Sequence, residues 1–73
     1  MSTLPDRIRA MTERIEQDER HIGVLSTGET IAVALVLNRP DLFPNDGYTI
    51  LEAVERLGTE WFEAALLVQR ARG

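Results

Sequence analysis

The most demanding segment of this chain is Ile31-Ala-Val-Ala-Leu-Val-Leu37, seven consecutive apolar residues between Ser26-Thr-Gly-Glu29 and Asn38-Arg-Pro40. Such a run has no polar side to turn to water, so the remainder of a 73-residue chain has to pack around it. Two local structures compete for it. Ser26 and Glu29 have the spacing of a capping box, in which a Ser hydroxyl and a Glu carboxylate satisfy each other's backbone N–H groups at a helix start. A helix opened there runs over 27–38 and is stopped by Arg39-Pro40. In the alternative, Ser-Thr-Gly-Glu is a hairpin turn joining strands 21–25 and 30–37, which the β-branched residues would suit. The periodicity of so short a run does not separate the two. Ala32 and Ala34 are poor strand residues and the capping box is specific, so the reading is an all-α domain of four helices at about 4–20, 27–38, 49–57 and 59–72, with the second helix central. The alternative is an α+β domain with a hairpin at 21–37.

The other segments are built to cover that centre. Leu4, Ile8, Met11 and Ile15 recur at helical spacing on one narrow stripe, with Thr3 and Asp6 as a capping pair and Pro5 in the tolerated first turn. Glu16 with Arg20, and Arg14 with Asp18, are spaced to pair along this helix. Residues 38–48 are rich in Pro, Asp, Asn and Gly and read as a long loop. Thr49 and Glu52 form a third capping box, opening a short helix whose expected buried face is Ile50, Leu51, Val54 and Leu57. Gly58 suits the helix end, and Thr59 is expected to cap the last helix.

Composition limits the chemistry available. There is no cysteine, hence no disulfide and no thiolate zinc site, and a single His cannot build a His-rich metal centre. No cofactor is expected. Apolar residues make up 44% of the chain, enough for one modest core and too many for a disordered segment. The cations are all Arg, and they are scattered among a larger number of Asp and Glu, giving a net charge of −4 and a pI near 4.8. That balance disfavours sequence-independent nucleic-acid binding. The first residues, Met-Ser-Thr-Leu-Pro-Asp-Arg, lack the apolar centre of a signal peptide, and the longest apolar run is far below the roughly 20 residues of a membrane span. The expectation is a cytoplasmic protein that makes no membrane contact.

Candidate sites are few. The segment 50–69, two helices around Gly58, has helix-turn-helix spacing, but the first turn of the would-be recognition helix is Glu60-Trp-Phe-Glu63, which would set carboxylates against phosphate. Glu52, Glu55, Glu60 and Glu63 form two Glu-x-x-Glu pairs without the His that bundle di-metal sites use. They read as solvated surface. His21 has no evident nucleophile or orienting acid, and Gly23 and Gly28 are isolated rather than part of a phosphate loop. No catalytic residue and no small-molecule substrate is evident, and the chain is not expected to be an enzyme.

The last helix carries the strongest functional signal. At 100° per residue its apolar side chains span an arc of about 220°, wider than a surface helix needs. Trp61, Phe62, Leu66 and Leu67 are therefore candidate partner-binding residues. Leu42 and Phe43, set between Pro40 and Pro44, are either a loop anchor or a pre-ordered hot spot. The function expected is a non-catalytic protein–protein interaction module. Its partner is a second copy in a homodimer or a larger protein, bound through the last helix, in the manner of a small phage- or plasmid-encoded inhibitor or adaptor. The alternative is a small DNA-associated regulator using the 50–69 hairpin.

Overall fold

A computed structural model describes residues 2–44 and 48–72. Its elements are α1 (Leu4–Gln17), a 3₁₀ segment (Glu19–Val24), α2 (Thr27–Leu37), a 3₁₀ turn (Pro40–Leu42), α3 (Ile50–Leu57) and α4 (Thr59–Arg72). The fold is all-α, and the hairpin alternative is overturned. The described residues contain no strand; 21–24 lie in the 3₁₀ segment and 27–37 in α2. The deciding local interaction is the capping box. Glu29 N–H donates to Ser26 Oγ at 3.2 Å, and Ser26 N–H donates to the Glu29 carboxylate at 2.8 Å. The same reciprocal pair forms at Thr3/Asp6 and at Thr49/Glu52.

α2 is the centre. Thr30 to Ala34 and Val36 are all buried, and α1, α3 and α4 each pack against it. Ala32, Ala53, Ala64 and Ala65 are at most 5% exposed, and these small side chains let helices approach closely around the larger Ile8, Ile31 and Val36. α2 ends by a Schellman arrangement. Asn38 takes the left-handed conformation (φ 55°, ψ 44°), its N–H donates to Leu35 O, and Arg39 N–H donates to Ala34 O at 2.8 Å. The helix is therefore closed by Asn38, one residue before the expected Arg39-Pro40 stop.

Four local expectations are corrected. α1 ends at Gln17 rather than at 20. Asp18 turns extended (φ −155°), and its carboxylate accepts from the Arg20 N–H and guanidinium at 2.9–3.1 Å, so it caps the next segment instead of continuing the helix. Arg20 is thereby paired with Asp18 and not Glu16, whose carboxylate reaches across to Arg72 of α4. The 38–48 loop is partly ordered by the Pro40–Leu42 turn; its residues 45–47 lie outside the described residues. Thr59 is the first residue of α4 and not its cap. Gly58 (φ +87°) closes α3 and also accepts the first α4 hydrogen bond, from Phe62 N–H at 2.9 Å.

The fourth correction concerns α3. Its buried residues are Ala53 and Leu57; Ile50 is 53% and Leu51 82% exposed. The cause is the crowding of α2. With α1 and α4 already against it, α3 meets the core along a single edge, and the small Ala53 is the residue that fits there. The Cα radius of gyration, 11.1 Å, equals the roughly 11 Å of a fully compact chain of this length. The exposed leucine is thus a property of a tight fold and not of a loose one.

A candidate interaction surface on the α3–α4 edge

α3 and α4 are joined by Gly58 alone, and at their junction lies a cleft of about 300 Å³ lined by Val54, Glu55, Gly58, Thr59 and Phe62. Around α3, at 100° per residue, the order leading away from the buried Ala53 and Leu57 is Ile50, Val54, Leu51, then Glu55. Leu51 lies one turn before Val54 on the flank that lines this cleft. Phe62, 36% exposed, forms the opposite wall, and half-buried Leu66 lies one turn further along α4. The result is an apolar edge of Leu51, Val54 and Phe62 with Glu55 on its rim. Scattered surface leucines are ordinary; an exposed leucine on the same flank as an apolar cleft is the pattern of a contact site.

The other candidate residues are distributed differently. Trp61 turns inward, half-buried against the core, with the Arg7 guanidinium 5.7 Å from its ring centroid. Arg7 also pairs with Glu29 at 3.6 Å, so Trp61 is part of the α1–α4 packing. Leu67 is 58% exposed but stands between Glu63 and Glu60 on the far flank of α4, away from Phe62. Phe43 packs on the core and meets Tyr48 edge-on, with centroids 6.4 Å apart. Leu42 is half-buried beside it, and both line a cleft of about 360 Å³ with Ile22, Leu25 and Thr30. The wide apolar arc of α4 is mostly absorbed internally, through Ala64, Ala65 and Val68. Gln69 lies on the same flank and donates to Leu35 O at 3.0 Å and Val36 O at 3.3 Å, covering carbonyls at the end of α2.

From sequence, Ile50, Leu51 and Val54 are expected on a buried face and not on a contact surface. The signal that finds them is the arc-width argument applied to α3. Ala53, Leu57, Ile50, Val54 and Leu51 span about 160° on an eight-residue helix. That is more than one line of contact can cover.

The charges are as unevenly placed as the apolar groups. Asp6, Glu16, Asp18, Glu19, Glu29 and Asp41 each pair with an Arg. Hydrogen bonds hold three of these carboxyls below their ordinary range. The Asp6 carboxyl is lowered by the Thr3 N–H and hydroxyl, that of Asp18 by the Arg20 guanidinium and N–H, and that of Asp41 by the Arg39 guanidinium. By contrast, Glu52, Glu55, Glu60 and Glu63 are exposed and pair with no cation among the described residues. His21 is exposed, and no group of three or more His, Asp or Glu among the described residues has metal-binding geometry. No helix among them is long and apolar enough to cross a membrane. No protein-family model, curated protein or solved structure matches the chain.

Proposed function

We propose that this chain is a non-catalytic protein-interaction module that docks through the α3–α4 edge, either onto a second copy or onto a larger protein, as an inhibitor or adaptor would. The observation that carries the reading is Leu51, 82% exposed in a compact fold and on the same flank as the Val54–Phe62 cleft. A side chain of this size in that position contributes little to folding and is available to a partner. The reading moves the contact from the whole of the last helix to its junction with α3. Phe62 and Leu66 belong to it, and Trp61 acts from behind by fixing α4 on α1. The alternative DNA-associated role is disfavoured by the same edge, because the exposed carboxylates of the hairpin would face phosphate.

The test is site-specific. A photo-crosslinking residue is placed at position 51 of the full chain and, as a control, at the exposed position 13 on α1. The modified chains are expressed in cells and the adducts sized, alongside light scattering of the purified chain over a concentration series. Adducts from position 51 and none from 13 are expected, and Leu51→Asp should remove any self-association. A chain that gives no adduct from 51 and stays monomeric at the highest concentration would refute the reading. Retention on random-sequence DNA at low salt would favour the nucleic-acid role instead.

A further inference from the structure

The apolar cleft and the unpaired carboxylates occupy the same hairpin, and together they define the occupant. Between residues 50 and 66 there are four glutamates and a single arginine, Arg56. Glu55 lines the cleft itself, and Glu63 stands one turn beyond Thr59, another lining residue, outside the cleft proper. Elsewhere among the described residues every acid but Glu13 pairs with an Arg, so each ion pair takes its carboxylate from the segment 6–41. Two carboxylates, Glu55 and Glu63, stand beside the apolar groove, while Glu52 and Glu60 lie on the outer faces of α3 and α4.

We propose that the α3–α4 groove receives a basic amphipathic segment of another protein, its apolar side chains seated between Leu51, Val54 and Phe62 and its Lys or Arg residues set against Glu55, Glu63 and their neighbours. This rests on the interaction reading above and adds the chemistry of the partner. A second copy is the poorer fit. A two-fold contact brings the same patch against itself, which would oppose these glutamates to one another. A basic segment meets both features at once, with hydrophobic anchoring in the groove and charge complementarity at the rim.

The experiment uses the full chain and three fluorescein-labelled synthetic 18-residue peptides, followed by fluorescence anisotropy. The first has a Leu face at helical spacing and a Lys/Arg polar face. The second has the same Leu face with a Glu polar face. The third is a sequence-scrambled version of the first with no apolar face. The first should bind, and the other two should bind at least about tenfold more weakly. Leu51→Asp should weaken the first peptide by about tenfold or more. The double variant Glu55→Lys/Glu63→Lys, which leaves the Glu52 capping box intact, should do the same and should reverse the preference toward the Glu-faced peptide. Circular dichroism melts establish that each variant is folded. Raising the salt from about 50 to 500 mM should weaken the first peptide markedly, since exposed charges are screened over a few ångströms there.

Equal binding of the Lys/Arg- and Glu-faced peptides, or indifference to the Glu55/Glu63 reversal, overturns the basic partner while leaving an interaction edge in place. A homodimer dissolved by Leu51→Asp does so as well, by showing a second copy as the occupant. Tight binding of the scrambled basic peptide overturns it in another way, by showing that charge alone acts. Failure of the interaction reading itself is distinct from all of these, because it would leave position 51 without adducts and Leu51→Asp without any effect on association.

Discussion

Leu51 and Leu57 are the same residue type on the same eight-residue helix, and the structure gives them opposite roles. Leu57 is 8% exposed and belongs to the core; Leu51 is 82% exposed. Complete burial of a leucine side chain is worth about 1.5–3 kcal/mol. Leu51 buries less than a fifth of its surface, so its share is about 0.3–0.5 kcal/mol. Alanine is at least as good a helix former as leucine, which removes part even of that. Leu51→Ala is therefore expected to change stability by no more than about 0.5 kcal/mol. Leu57→Ala loses nearly the full transfer energy and leaves a cavity between α3 and the core, a cost of about 2–5 kcal/mol. For a domain of this size that is a fall in Tm of roughly 8 °C or more. Urea titration followed by circular dichroism measures both, with an unchanged m-value marking a pure stability effect. The same two proteins are then compared in the peptide-binding assay, where the order should invert, Leu51→Ala losing binding and retaining stability. If Leu51→Ala destabilises as much as Leu57→Ala, the rotation of α3 is wrong and the argument for an interaction edge falls with it.

Three further outcomes follow from the caps, the charges and the centre. At the two positive-φ positions among the described residues, Asn38→Ala and Gly58→Ala should each cost roughly 1–2 kcal/mol in chemical denaturation. Asn38→Gly should be close to neutral, and a neutral Asn38→Ala would refute the left-handed closure of α2. Hydrogen bonding and pairing hold the carboxyls of Asp6, Asp18 and Asp41 below their ordinary range. A folded value below the unfolded one adds stability above the unfolded pKa of about 4, and that addition disappears as pH falls through the folded value. Thermal stability should therefore be level from neutral pH to about 5 and decline below about 4. The triple Asn variant at these positions should flatten the acid limb, and an unaltered limb would refute the assignment. Ala32, fully buried at the centre of α2, has no room for added carbons. Ala32→Leu should destabilise by about 1–3 kcal/mol through overpacking; a stabilised variant would reveal an unfilled core.

Elements with a local chemical signature were legible in the sequence. The capping boxes mark two helix starts to the residue and the third, at Thr49, to within one, because the interaction that opens the helix spans only three residues. Gly58 was legible as a helix end for the same reason, while its second role as the start of α4 needed the direction of the following helix. The end of α1 was misplaced because Asp18 can either continue a helix or cap the next turn, and nearest neighbours do not decide between these. On the candidate surface, Phe62 and Leu66 were legible through the width of the apolar arc on α4. Trp61, in the same arc, is half-buried and also meets Arg7, a residue 54 positions away in sequence, which no local pattern indicates.

By itself, then, the sequence determined the helical class, the helix starts and the central burial of α2, because capping and hydrophobic periodicity act within one or two turns. Only the tertiary structure decided which way each outer helix faces. α3 carries five apolar residues over a broad arc, and periodicity says that they share a side without saying which of them meets the core. Competition for the limited surface of α2 settled it in favour of Ala53 and Leu57. It left Leu51 and Val54 turned toward Phe62, and with them the edge on which the proposed function stands.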